Sequence, residues 1–177
     1  MAVIKTIIII AVSLITLGCT SVAKQGSKLS SETEKQDKIM AMYAKYARKF
    51  PKVEGITVKD LQQLQQQGQE LILIDVRSPG ERAVSYIPGA ISTKEFESNL
   101  EQYRQTTIIA YCTIGYRSGK YAQEMQQQGV KILNLEGSLL AWSHVQGQLI
   151  NAQGATNQVH VFAPKWQLIA ENYEAVW

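Results

Sequence analysis

The stretch Thr107-Ile108-Ile109-Ala110-Tyr111-Cys112-Thr113-Ile114-Gly115-Tyr116-Arg117-Ser118 decides the fold. Its first five residues form a short, apolar, β-branched run, which predicts a buried strand. Gly119-Lys120-Tyr121-Ala122-Gln123-Glu124-Met125 then predicts a helix. Cys112 therefore stands where a strand turns into a helix. Unpaired N–H groups and the positive end of the helix dipole collect there and favour an anion. That anion can be a thiolate, a persulfide or an oxyanion substrate, and the expected direction of the Cys112 pKa is down. A lone Cys at a strand end is otherwise a small buried hydrophobe. Polar, turn-forming flanks, the left-handed freedom of Gly115 and the fixed charge of Arg117 in the same loop favour the chemical reading.

Outward from this loop the chain alternates helix, strand, loop, strand, helix, strand. Ile39, Tyr43, Tyr46 and Phe50 recur at helical spacing before Pro51, which predicts a helical extension over 36–55 that docks on the domain after it. Thr57-Val58-Lys59-Asp60 reads as a helix start, with Asp where Glu is usual, and Gly68 as its stop. Val130-Lys131-Ile132-Leu133-Asn134-Leu135 reads as another strand. This order predicts an α/β fold, a central mainly parallel sheet flanked by helices. Ligands of such sheets bind beyond the carboxyl ends of strands, where Asp75 and Cys112 both fall. The tail over 151–177 reads as a strand at Gln158-Val159-His160-Val161-Phe162. A helix is expected to follow, carrying Trp166, Ile169, Tyr173 and Val176 or Trp177 on one face, packed on the domain or docking a partner.

Four segments, in order, resemble the rhodanese family of single-domain sulfurtransferases. Leu71-Ile72-Leu73-Ile74-Asp75-Val76-Arg77, continued by Ser78-Pro79-Gly80-Glu81-Arg82, is similar to the family's strand ending in Asp-Val-Arg. Tyr86-Ile87-Pro88-Gly89-Ala90-Ile91 resembles its Ile-Pro-Gly-Ala segment, the Cys112 loop its active loop, and Leu135-Glu136-Gly137-Ser138-Leu139-Leu140-Ala141-Trp142 its Gly-Gly-x-x-x-Trp signature. The resemblance covers 56–150. It departs at Tyr86, where the family often has His, and at Ser138, in place of the second Gly; both changes bear on packing and substrate preference. The resemblance implies a small α/β rhodanese fold with the Cys loop at one edge of the sheet.

A sulfurtransferase takes sulfur onto a nucleophilic thiolate, holds the persulfide anion and releases it to an acceptor. Cys112 supplies the nucleophile. The N–H groups of Thr113, Ile114, Gly115, Tyr116, Arg117 and Ser118 can ring its sulfur. Arg117, with Lys120, can attract an anionic donor such as thiosulfate, and a thiol or cyanide can accept. The resemblance implies that Asp75, Arg77 and Glu81 brace the loop, with Arg77 as an anion ligand and Asp75 as a base the further readings. Glu81 and Arg77 have the spacing of a helical ion pair.

Two other classes compete. Related phosphatases and arsenate reductases place five residues between Cys and Arg. Here four intervene, Thr113 to Tyr116, and the shorter ring suits a single sulfur atom. A membrane-tethered binding or redox-sensing module without turnover is the third.

With 177 residues, 45% of them apolar, the chain suits one folded domain with extensions. A net charge of +3 is too mild to argue for nucleic acid. Two cysteines, Cys19 and Cys112, make no disulfide framework, no metal-binding spacing is present, and the chemistry calls for no cofactor. His144 and His160 read as core or solvated residues, with a catalytic base as the alternative.

The N-terminus reads as an export signal over 1–18. Lys5 precedes an apolar core, Thr6 to Leu17, shorter than the about 20 residues of a membrane span. Leu17-Gly18-Cys19 resembles a bacterial lipobox, with Thr16 where Leu is preferred and Cys19 as the lipidated residue. An uncleaved anchor, an ordinary cleaved signal and a soluble protein are the alternatives. The polar run over 19–35 reads as a tether. Cell fractionation is expected to recover the protein with a bacterial membrane, and Cys19→Ser to release it. Retention of the Ser variant would favour an uncleaved helix, and a cytosolic full-length chain would end the export reading.

Overall fold

The computed structural model describes residues 19–177, with side-chain surroundings from residue 31 onward except at Lys165. The signal-peptide reading of 1–18 and the side chain of Cys19 lie outside the described residues. The chain forms two compact units, one ending at Ser31 and the other running Glu32–Trp177; the second is described below. Among the described residues no helix is long and apolar enough to cross a membrane.

Five parallel strands make the central sheet. They are β1 (Gly55–Ile56), β2 (Leu71–Asp75), β3 (Ile91–Ser92), β4 (Thr107–Tyr111) and β5 (Leu133–Leu135), in the spatial order β1-β5-β4-β2-β3. β4 is in the middle. The Cys loop therefore leaves the carboxyl-end rim of the sheet at its centre, not beside an outermost strand. Leu71 pairs with Thr107 and Asp75 with Tyr111, so the ends of β2 and β4 are level. Alternate side chains fill two cores, as expected of strands covered on both faces. Leu73, Ile109, Tyr111 and Leu135 join Ile39, Leu61, Leu139 and Leu140 on one face. Ile74, Ile108 and Ala110 join Phe96, Tyr121, Ala122 and Met125 on the other.

The helices are α1 (Cys19–Ala47), α2 (Val58–Gln66), α3 (Pro79–Val84), α4 (Thr93–Ser98), α5 (Tyr116–Gln127) and α6 (Ser138–His144). The Thr57 hydroxyl caps α2 by accepting from the Asp60 N–H at 3.1 Å. Asp60 is too short to complete the box and instead accepts from that hydroxyl. α3 has the complete capping box, Ser78 with Glu81. β5 starts at Leu133, later than the run from Val130 suggested, because Val130 closes the turn after α5 by donating to Met125 O.

The two termini differ from the sequence reading. The described helical backbone, Cys19–Ala47, takes in the stretch expected to be a tether; apart from Gly26, that stretch holds residues a helix accommodates. Beyond residue 151 the expected strand is β8 (Gln158–His160), but no helix follows. A 3₁₀ turn, Pro164–Trp166, leads to β9 (Glu174–Val176), which pairs parallel with β8. Tertiary bonds outweigh the helical spacing there. Ala170 N–H donates to Ser143 Oγ at 3.0 Å and the Tyr173 hydroxyl to Gly147 O at 2.7 Å. The adjacent Ile169 and Ala170 are both buried, a pattern of local docking rather than of one helix face. Between domain and tail lies a hairpin, β6 (Leu149–Asn151) with β7 (Gly154–Thr156).

Gly137 marks a tight junction between α1 and α6. It caps α6 at φ +66°, and a Cβ there would stand 2.7 Å from both Ala141 Cβ and Ile39 Cγ2. Gly137→Ala is expected to cost about 2–4 kcal/mol, from left-handed strain plus overpacking. Denaturant unfolding checks this.

Candidate active site

β4 ends at Tyr111, and the chain turns sharply at Gly115, φ +103°, to start α5 at Tyr116. Cys112 lies between them, buried with 1% of its surface exposed. Its Sγ accepts from the Gly115 N–H at 3.2 Å and lies 3.6 Å from the Ser118 Oγ. The Ser118 N–H faces it as well. Burial alone would push the thiol up. The Ser118 N–H and hydroxyl, the Gly115 N–H and the Arg117 charge outweigh it, and the pKa falls below its ordinary 9.0.

The sulfur is thus faced by Gly115, Ser118 and the Arg117 side chain rather than by every residue of the loop. The other loop residues hold it in place. Thr113 gives its carbonyl to the Leu140 N–H at 3.1 Å, and its hydroxyl oxygen accepts from Arg117 at 3.3 Å. Ile114 is buried in the core. The Tyr116 ring packs against Tyr46 and Phe50, with Lys49 over its face. None of these three side chains donates to the sulfur.

Arg117 is not a free cation. Nη1 and Nη2 donate to Glu81 at 2.7 and 2.6 Å. Glu81 Oε2 also accepts from the Ser78 N–H at 3.0 Å and hydroxyl at 2.9 Å, so one carboxylate caps α3 and clamps the Cys loop. The expected Glu81–Arg77 pair is therefore replaced by Glu81–Arg117. Arg77 turns to Asp75 instead, with Nε to Oδ1 at 2.9 Å and Nη2 to Oδ2 at 2.7 Å. Asp75 Oδ2 accepts from the Tyr111 hydroxyl as well, at 2.9 Å. This buried triad braces Tyr111, the residue before Cys112, and occupies both Asp75 carboxylate oxygens. Lys120 is exposed and pairs with Glu124.

Two buried side chains escaped the sequence reading. Asn134, in β5, accepts from the Ser118 hydroxyl at 2.7 Å and donates to Gly115 O at 2.9 Å. Ser138 Oγ accepts from the Cys112 N–H at 3.2 Å and donates to Leu135 O at 3.0 Å. The departure from the Gly-Gly pair was the one available signal for Ser138. A lone Asn inside an apolar strand was the signal for Asn134. His144 is buried, with Nε2 2.7 Å from Leu168 O and Nδ1 3.1 Å from Glu32. His160 sits 3.9 Å from Glu81 Oε1.

The arrangement holds one sulfur nucleophile in a ring of donors, with a compensated guanidinium at its side. Burial opposes Glu81 ionisation, but Arg117 and the two Ser78 donors hold its pKa at about 2, against an ordinary 4.5. A depressed carboxylate pKa stabilises the fold above the unfolded value and loses that contribution as pH falls through the folded one. Glu81→Gln is therefore expected to cost about 2 kcal/mol at neutral pH, a figure discounted for the partly exposed Arg117 end. The gap should close as pH falls from 4.5 towards 2, read by thermal melts of both proteins across that range.

A sequence description of the Rhodanese-like domain matches residues 57–144. A sulfurtransferase of Allochromatium vinosum is 31% identical over 98 residues, covering 51% of this chain and 89% of that protein. The putative sulfurtransferase YtwF of Bacillus subtilis is 30% identical over 95 residues, covering 51% of this chain and 90% of that one. The thiosulfate sulfurtransferase structure from Pseudomonas aeruginosa superposes with a TM-score of 0.50 at 19% identity, over 72% of this chain and 23% of that one, a likeness of fold. With its Cys loop at the end of the middle strand and relatives matched over nearly their whole length, the chain belongs to the rhodanese-like domain family.

Proposed function

We propose that the protein is a sulfurtransferase that carries sulfane sulfur as a persulfide on Cys112. The single observation that carries this reading is the buried Cys112 Sγ facing the Gly115 N–H and the Ser118 hydroxyl at the start of α5. The sulfurtransferase names of its relatives support it. In the loading step the Cys112 thiolate attacks the outer sulfur of a donor. The donor's S–S bond breaks and its remainder leaves with the bonding pair, as sulfite when the donor is thiosulfate. In the discharge step an acceptor, thiolate or cyanide, attacks the terminal sulfur and Cys112 leaves as the thiolate. No electrons are gained or lost overall.

The donors around Sγ suit both forms of the sulfur. They lower the thiol pKa in the resting enzyme and solvate negative charge on the persulfide. Thiosulfate remains the anionic donor proposed, but the attraction of Arg117 for it is muted by Glu81, which already takes both guanidinium ends. The N-terminal sequence extends the proposal: export, lipid on Cys19, and a place on the outer face of a bacterial membrane. In an oxidising compartment Cys112 would depend on persulfide loading or outside reductants to avoid irreversible oxidation.

After incubation with thiosulfate or another sulfane donor, intact-mass measurement is expected to show one added sulfur, removed by cyanide. Cys112→Ser should gain none. A labile sulfur on the Ser variant, or none on the wild-type protein with any sulfane donor, would reject the assignment.

A further inference from the structure

Helix α1 precedes residue 57 and so lies outside the matched family domain. From it Tyr43 reaches the Cys loop, and its ring closes on Gly115: a Cβ at that glycine would stand 2.6 Å from Tyr43 Cδ2 and 2.9 Å from Cε2. Tyr43 is itself buried, and its hydroxyl points past Gly55 towards the Asn134 amide. Asn134 in turn grips the two residues that donate to the sulfur, taking the Ser118 hydroxyl at 2.7 Å and holding Gly115 O at 2.9 Å. The path Tyr43–Asn134–Ser118 and Gly115–Cys112 is continuous. The ring closes on Gly115 from outside, and the hydroxyl faces Asn134.

We propose that Tyr43 is a positioning residue for the Cys112 sulfur, setting through Asn134 the donors that face Sγ. It never touches the sulfur. The proposal rests on the sulfurtransferase reading for its purpose, but the geometry it describes concerns the thiolate alone. Further contacts make α1 a fixed part of the site. Ile39 packs where a Cβ on Gly137 would be, and Phe50, just beyond the helix, where one on Gly119 would be. The acceptor therefore meets a loop whose rear wall comes from outside the family domain.

The test follows the pH dependence of Cys112 alkylation by a small reagent, read by mass spectrometry of the Cys112 peptide so that Cys19 does not interfere. The ionisable groups that bear on this thiol are Arg117 beside it, Glu81 on Arg117 from α3, His160 from β8 beyond Glu81, and Tyr43 with the nearby Glu136. Tyr43→Phe keeps the ring and removes the hydroxyl. Its alkylation at neutral pH is expected to be about fivefold slower, the scale of one buried hydrogen bond, with the midpoint moved up in pH. Ser118→Ala should also move the midpoint up. The double variant should move it by less than the sum, because both changes act on one path. A Tyr43→Phe profile that overlays the wild type, whatever the melting temperature does, would overturn the proposal, and so would strictly additive shifts. Persulfide loading is measured on the same samples. If the wild-type protein takes up no sulfur, the functional reading fails, while the alkylation profiles still decide the role of Tyr43.

Discussion

The bond between Glu81 and Arg117 organises the carboxyl end of the sheet. Two charge-assisted hydrogen bonds at 2.6 and 2.7 Å tie α3 to the first turn of α5. The same carboxylate caps its own helix through Ser78, so it cannot drift without unravelling α3. A clamp anchored at both ends keeps the surroundings of the Cys112 sulfur from rearranging. Behind it the Asp75–Arg77–Tyr111 group fixes the residue just before Cys112. Nearly every charge around the sulfur is thus matched by a neighbour, and the sulfur is met by dipoles and a compensated cation rather than by a free one.

Much of this was legible in the chain itself. The β-branched run before Cys112 and the glycine after it gave strand, turn and helix, because buried parallel strands and left-handed turns each demand few residue types. Ser78 and Glu81 carry a capping box three residues apart, a local signal that the reading of Glu81 with Arg77 passed over. The partner of Glu81 was not legible. The spacing to Arg77 is as good as any on a helix, but Arg77 lies before the cap, in the bend after β2, where the nearer Asp75 takes it. The choice between two arginines is a three-dimensional one.

The tail shows the same limit from the other side. Trp166, Ile169 and Tyr173 do fall at helical spacing, yet Ala170 and Tyr173 bond to α6 and the turn after it, and the last strand closes on β8. Long-range bonds overrode a local pattern. Asn134 and Ser138 were hidden for a related reason: each is one polar residue in an apolar segment, and only the assembled sheet brings it to the Cys loop. The docking of α1 was foreseen from Ile39, Tyr43 and Phe50, but that its target is the loop itself was not.

The place of α1 has a consequence for how the chain assembles. During synthesis this helix emerges early, while Gly115, Gly119 and Gly137, the residues its apolar side closes upon, come many tens of residues later. The strands between them are all parallel, so every sheet contact also waits for a crossover to be made. Contacts of such separation form slowly, because loop-closure entropy is lost before they can compensate it. Ile39 and Tyr43 remain uncovered throughout that interval, a stretch of greasy helix ahead of an unfinished sheet. Cys112 gains its rear wall only when this earlier segment meets the later one, so a closed Cys loop is itself a sign that the domain has finished folding.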